Sequence, residues 1–219
     1  MNSGHRVEAH NKISTMQSKS HWEEIYTTKD STQVSWFQQH PELSLQFIKQ
    51  TKVKQEGQII DVGGGASTLV DDLLANGYTN ISVLDISGAA LQVAKERLGP
   101  LAAKVTWQEA SVLEVNLVQD FYDVWHDRAV FHFLAHEDER ARYVDLVRRS
   151  VKRGGHVIVA TFAKEGPMHC SGLDVVRYDA QGLHDEFGNS FELVDSTSEL
   201  HHTPFGTEQK FTYCFCRKS

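Results

Sequence analysis

The fold of this chain is indicated first by residues 58–67, which read Gln58-Ile59-Ile60-Asp61-Val62-Gly63-Gly64-Gly65-Ala66-Ser67. The apolar run predicts a buried strand, and the glycines predict a tight turn into a helix. The next apolar residues fall at helical spacing, at Leu69, Val70, Leu73 and Leu74. This order of strand, glycine turn and helix is typical of an α/β protein with a parallel sheet.

The same alternation continues along the chain. It predicts further strands at residues 81–84, 104–109, 121–126 and 156–162, and helices that begin at Ser87 and span residues 143–153. The last fifty residues predict a short helix at 181–187 and two strands at 191–200 and 210–216. We therefore expect an α/β fold with a doubly wound, mostly parallel seven-stranded sheet and a C-terminal antiparallel hairpin.

Length and composition favour one ordinary globular domain. The chain has 219 residues, of which 40% are hydrophobic and 23% charged. We predict a disordered polar tail or leader over residues 1–19 and a single domain over residues 20–219. Apolar runs fall short of the ~20 residues that span a bilayer, and the three cysteines are too few for a disulfide framework. These features predict a cytoplasmic protein with no membrane partner.

Charge and ligand spacing restrict the partners. The formal net charge of −7 disfavours nucleic acid, whose phosphates attract clustered Lys and Arg. The histidines and cysteines, including His169 with Cys170 and His201 with His202, match no zinc spacing, so we predict no metal. The oligomeric state is left open.

An acidic residue, Asp85, closes the second predicted strand. A carboxylate accepts two hydrogen bonds, so at this edge of an α/β sheet it can hold both ribose hydroxyls of an adenosine ligand. The alternative is that Asp85 caps the following helix, although Ser87 is available for that cap.

The glycine turn distinguishes between ligands. A dinucleotide site prefers G-x-G-x-x-G, but Thr68 stands where the third glycine would fall after Gly63 and Gly65. Asp61 would bring negative charge near a pyrophosphate, whereas it suits a cationic amino-acid tail. An NAD-dependent oxidoreductase and a non-catalytic protein that binds an adenosyl ligand remain alternatives.

These motifs resemble those of the class I S-adenosylmethionine-dependent methyltransferases, over roughly residues 22–217. The resemblance implies a Rossmann-like fold, S-adenosylmethionine as cofactor and methyl transfer as the reaction. It implies that the methionine end contacts the glycine turn, that Asp85 binds ribose, and that residues after the third strand contact adenine, where Ser111 replaces a frequent Asp. The implied cofactor-binding residues are Asp61, Gly63, Gly64, Gly65, Asp85, Ile86, Ser111 and Val112.

The segment after the fourth strand is where this family places residues that face the methyl group. It reads Trp125-His126-Asp127-Arg128-Ala129-Val130-Phe131-His132-Phe133 and is rich in ionisable groups. We predict Asp127 as a base or orienting group and His132 as a base that titrates near neutrality. The alternative is a structural Asp127–Arg128 ion pair with a packed His132.

Aromatic residues recur in residues 20–40, at Trp22, Tyr26, Trp36 and Phe37. They resemble the cofactor-covering lid of the small-molecule and protein-lysine branches, with Trp36 the preferred contact, although plain core packing would give the same pattern. No insertion suggests a separate recognition domain, which favours a small nucleophilic acceptor. A protein-lysine acceptor is the alternative.

Overall fold

The computed structural model describes residues 19–219, so the predicted tail over residues 1–19 lies outside the described residues except for Lys19. The main sheet has seven strands, which are β1 (Gln58–Val62), β2 (Asn80–Asp85), β3 (Val105–Glu109), β4 (Tyr122–Arg128), β5 (Val151–Phe162), β8 (Phe191–His202) and β9 (Glu208–Lys218). Two short strands, β6 (His169–Cys170) and β7 (Leu173–Asp174), form a separate hairpin.

Helices cover both faces of the main sheet. They are α1 (residues 19–28), α2 (Glu42–Gln50), α3 (Leu69–Ala75), α4 (Gly88–Leu98), α5 (Glu137–Ser150) and α6 (Ala180–Phe187). One apolar core joins the sheet to α2, α3 and α4, and a second joins it to α5 and α6. Successive strand residues enter opposite cores, as with Val124 and Trp125 of β4, because side chains alternate along a strand.

The strand order confirms the predicted doubly wound sheet. It is β3-β2-β1-β4-β5-β9-β8, in which β1 to β5 pair in parallel and β9 runs antiparallel to both β5 and β8. The chain builds outward from β1 to β3 and then returns to place β4 on the other side of β1. This reversal opens a crevice beyond the carboxyl ends of β1 and β4, where ligands bind in such sheets.

One predicted boundary is wrong. The helix predicted at residues 143–153 is α5, which begins at Glu137 and ends at Ser150, and β5 begins at Val151. Gly154, with φ of 75°, lies within β5, beside a register shift between Tyr122 and Val124 of β4. An irregularity in the strand pairing therefore accommodates the glycine.

The hairpin of β6 and β7 was not predicted. It turns through Ser171 and Gly172, whose φ values of 53° and 79° are those of a tight two-residue hairpin turn. It places Cys170 near the crevice and leaves Met168 exposed. Within residues 19–219, no helix is both long and apolar enough to cross a membrane.

Candidate active site

The glycine turn after β1 packs against two carboxylates. A Cβ added at Gly64 would lie 2.5 Å from Asp61 Oδ2, and one added at Gly65 would lie 2.6 Å from Asp85 Oδ2. Gly63 has φ of 68°, which favours glycine, and its N–H donates to Leu84 O at 2.7 Å. The turn therefore needs glycine at each of these positions to bring both acids to the crevice.

Asp85 ends β2 as a buried carboxylate. Its Oδ1 accepts a hydrogen bond from the Ser87 N–H at 2.8 Å, while Ser87 itself caps α4. Burial raises the pKa of Asp85 to about 7, opposed by the Ser87 hydrogen bond and reinforced by the nearby charges of Asp61 and Glu23. In its carboxylate form Asp85 can accept hydrogen bonds from ribose hydroxyls. Near neutral pH its carboxylate and protonated forms are both populated.

Asp61 has one satisfied oxygen and one that lacks a partner. His126 Nδ1 donates to Asp61 Oδ1 at 2.7 Å, and His126 Nε2 lies 2.9 Å from Ser44 Oγ. Asp61 Oδ2 is buried with no hydrogen-bond partner among the described residues. A buried carboxylate oxygen of this kind is costly unless a donor or cation reaches it, so this atom is a candidate for a ligand contact.

These groups open onto a cavity of about 240 Å³ and an adjoining chamber of about 60 Å³. Both spaces share Tyr26, Trp36, Gly63 and Arg128 as wall residues. Of the predicted cofactor residues, six line the cavity, namely Trp36, Gly63, Asp85, Ile86, Ser111 and Val112. Asp61 and Gly64 line the chamber together with Gly63 and Trp36, and Gly65 lies behind Asp85.

The segment after β3 gives the cavity a mainly apolar wall. Ala110, Val112 and Leu113 line it beside Ser111, whose Oγ accepts from the Leu113 N–H at 3.2 Å. That bond fixes the turn, and the apolar side chains beside Ser111 offer a surface on which a flat base can stack.

The N-terminal segment covers the cavity. The Glu23 carboxylate accepts from the N–H groups of Gly88 and Ala89, at 2.7 and 3.2 Å, which anchors α1 to the N-terminus of α4. Trp22 stacks edge to face on Trp36, with ring centroids 5.7 Å apart. This cover is part of the fold of residues 19–219, not a separate element.

Asp127, one of the two predicted catalytic residues, does not line either space. Its carboxylate accepts hydrogen bonds from the N–H groups of Val130 and Phe131, at 2.9 and 3.1 Å, and from the hydroxyl of Tyr143. The strand alternation turns it toward α5, and burial raises its pKa to about 6. The Asp127–Arg128 ion pair does not form either, since Arg128 pairs with Glu199 at 3.1 Å.

His132 is also outside the cavity wall. Its side chain is fully buried, its Nδ1 accepts from the Phe162 N–H at 3.3 Å, and it packs against the rings of Phe133 and Phe162. Burial lowers the pKa of His132 to about 3, so the prediction that it titrates near neutrality is wrong.

His126 and Arg128 were not among the residues predicted to be catalytic or to bind the cofactor. His126 and Arg128 project from β4 on the same face as Asp61 of β1, because Asp61 and His126 are register partners. Cys170 lines the cavity from β6, and burial raises its pKa to about 12, so it stays a neutral thiol. The sequence did hold a signal for His126 and Arg128, because side chains alternate along a strand and residues 126 and 128 must therefore share a face.

Fold and site together define an α/β protein that binds its ligand at the carboxyl edge of a parallel sheet. Residues 59–155 match the family described as methyltransferase domain. The eEF1A lysine and N-terminal methyltransferase of Danio rerio is 22% identical over 186 residues, covering 84% of this chain and 27% of that protein. The ubiquinone biosynthesis O-methyltransferase of Alkalilimnicola ehrlichii is 29% identical over 149 residues, covering 65% of this chain and 59% of that protein.

A solved structure agrees with this fold. The SAM-dependent methyltransferase from Anabaena variabilis ATCC 29413 superimposes with a TM-score of 0.70 at 15% identity, covering 92% of this chain and 95% of that chain. The chain spans only part of the length of either curated relative. The chain is therefore similar to methyltransferases over residues 59–155 and shares the fold of this solved structure.

The Anabaena variabilis protein is S-adenosylmethionine-dependent by its name, and the residues of the crevice in this chain fit that cofactor. The unpartnered Asp61 Oδ2 suits the ammonium of the methionine end, and Asp85 suits the ribose hydroxyls. The described residues contain no group of three or more His, Cys, Asp or Glu side chains that could hold a metal ion.

Proposed function

We propose that this chain transfers the methyl group of S-adenosylmethionine to a small nucleophilic acceptor. The observation that carries this proposal is the small size of the cavity. Its volume of about 240 Å³ is small, and α1 and Trp36 cover it. Because pockets for drug-sized ligands measure about 300–1,000 Å³, a bound cofactor would leave room for only a few acceptor atoms.

The bound cofactor would supply a methyl group that its sulfonium already activates, so the protein chiefly has to bind and align. In the proposed arrangement, Asp85 and Ile86 hold ribose, Ser111 and Val112 contact adenine, and Asp61 with residues 63–65 holds the methionine end. Trp36 covers the site and excludes water.

Two ionisable side chains of the wall, Tyr26 and Cys170, are not available as bases. Burial raises the pKa values of both Tyr26 and Cys170, so neither accepts a proton near neutral pH. Asp127 and His132 lie outside the wall, and we assign them to holding the turn after β4 rather than to proton transfer. Thiols, which are partly ionised at neutral pH, are the acceptors we would test first.

The formal charge bears on the kind of acceptor, and the cysteines bear on the cellular location. A net charge of −7 argues against a nucleic-acid acceptor. Cys170, Cys214 and Cys216 are all free and buried, which suits a reducing cytoplasm.

A protein-lysine acceptor is the second candidate. The aromatic rings of Trp22, Tyr26, Trp36 and Phe133 line the cavity, and aromatic faces hold alkylammonium groups. A lysine side chain is narrow enough to enter the cavity, while the folded protein that carries it stays outside. The relative from Danio rerio carries this activity in its name.

One experiment separates the two candidates. The protein is incubated with methyl-labelled S-adenosylmethionine and either a panel of small thiols, amines and hydroxyl compounds or a protein extract, with Asp85→Ala as the control. We expect label in a small molecule and none with the control. Label confined to lysine side chains of extract proteins would replace the first candidate by the second.

A further inference from the structure

The chamber beside the main cavity holds two opposite charges. It is lined by Asp61 and Arg128 and is joined to the cavity at Gly63 and Trp36. The side chain of Asp61 is 4% exposed and that of Arg128 is 9% exposed, so both charges are largely removed from water. Buried charges in one small space call for partners of the opposite sign.

Arg128 is held rigidly at the end of β4. Its Nε donates to Tyr213 Oη at 3.1 Å, its Nη2 to Glu199 Oε2 at 3.1 Å and its Nη1 to Trp36 O at 3.2 Å. Its guanidinium carbon lies 4.1 Å from the ring centroid of Phe211. Because a guanidinium has five N–H groups, these contacts leave one N–H on each terminal nitrogen for a ligand.

The charges of the chamber match a zwitterion. Glu199 neutralises Arg128 and His126 hydrogen-bonds one oxygen of Asp61, which leaves Asp61 Oδ2 without a partner. An α-amino acid group brings an ammonium to that oxygen and a carboxylate to the two remaining N–H groups, with no net change in charge. Planar guanidinium and carboxylate groups fit each other in this way.

We infer that Arg128 binds the carboxylate at the amino-acid end of the cofactor, opposite Asp61, which takes the ammonium. This inference rests on the cofactor of the proposed function. Arg128 is then a binding residue in addition to holding Trp36 through its carbonyl oxygen. The two roles predict different results for ligands with and without the carboxylate.

The test is isothermal titration of wild type and Arg128→Gln with two ligands. S-adenosylhomocysteine carries the carboxylate, and S-adenosyl-3-thiopropylamine differs only in lacking it. For Arg128→Gln we expect affinity for S-adenosylhomocysteine to fall about ten- to a hundred-fold and affinity for the decarboxylated ligand to change less than about twofold. Arg148→Gln, which removes a half-exposed arginine on α5, should change neither.

Other outcomes overturn the inference. Equal losses for both ligands would mean that Arg128 acts only by holding Trp36, and no loss for either would mean that it does not contact the cofactor. If Arg128→Gln does not fold, Arg128→Lys replaces it, with a smaller loss still confined to the carboxylate ligand. Wild type that binds neither ligand would refute the cofactor assignment itself.

Discussion

Consecutive residues of β4 meet opposite environments. His126 and Arg128 face the α2 side, where they meet Asp61 and the ligand chamber. Asp127 lies between them in the chain but faces α5. Its carboxylate accepts hydrogen bonds from the Tyr143 hydroxyl and from the N–H groups of the following turn. One strand thus supplies chamber-lining ionisable side chains on one face and a structural anchor on the other, so an ionisable residue near the site is not by that fact catalytic.

The largest expected effect is on the structural face. Asp127→Ala leaves the Val130 and Phe131 N–H groups and the Tyr143 hydroxyl buried without their acceptor, at a cost of about 4 kcal/mol in the free energy of unfolding. Denaturant unfolding measures this loss. The affinity of the remaining folded protein for S-adenosylhomocysteine should change less than about threefold. A large loss of affinity with unchanged stability would mean that Asp127 serves the ligand and not the fold.

The matched change on the other face is Asp61→Asn. The amide oxygen can still accept from His126, but the negative charge that faces the chamber is removed. We expect affinity for S-adenosylhomocysteine to fall about ten- to a hundred-fold, while the free energy of unfolding stays within about 1 kcal/mol of wild type. Calorimetric titration and denaturant unfolding of the same sample check both quantities. A large loss of stability without loss of affinity would refute the ligand role.

The pH dependence of binding isolates Asp85. Its raised pKa means that the folded protein holds this proton more tightly than the unfolded chain does. Its contribution to stability is therefore present below about pH 4 and is lost as the pH rises through about 7. Ribose binding needs the carboxylate, so affinity for 5′-methylthioadenosine, which lacks the titrating amino-acid end, should fall up to about tenfold from pH 8 to pH 6.

Two charged neighbours of Asp85, Asp61 and Glu23, bear on that pH profile. Asp85→Asn is the control, because an amide does not titrate and the profile should flatten. A slope that persists in this variant would assign the titration to another group.

The smallest expected effect concerns the cover. Glu23→Gln keeps a hydrogen-bond acceptor but removes the charge at the N-terminus of α4, which is worth about 0.3–1 kcal/mol. We expect cofactor dissociation, followed by stopped-flow fluorescence of Trp22 and Trp36, to accelerate about two- to fivefold. The exposed neighbour Glu24, changed to Gln, should leave the rate unchanged.

Local pattern was enough for much of the fold and for part of the site. The apolar run before Gly63 predicts a buried strand, and the glycines after it predict a close turn. Asp85 could be recognised in the same way from its place at the end of the next apolar run. The doubly wound, mostly parallel character of the sheet followed from the alternation of strands and helices. These features depend on a few neighbouring residues.

Features that depend on distant pairing were missed. The first turn of α5 is entirely acidic at Glu137, Asp138 and Glu139, so it shows no apolar period, although acids suit a helix N-terminus. The meeting of Asp61 with His126 requires the register between β1 and β4, because the two residues are 65 positions apart along the chain. Without that register, the sequence cannot show that Asp127 faces α5 or that His132 is buried outside the cavity wall.

The most direct test is isothermal titration of wild type and Asp85→Ala with S-adenosylhomocysteine and NAD. If the crevice beyond β1 and β4 is an adenosyl site, wild type binds S-adenosylhomocysteine, Asp85→Ala weakens that binding at least about tenfold, and NAD does not bind. Binding of NAD alone, or affinity for S-adenosylhomocysteine that is unchanged in Asp85→Ala, would contradict it.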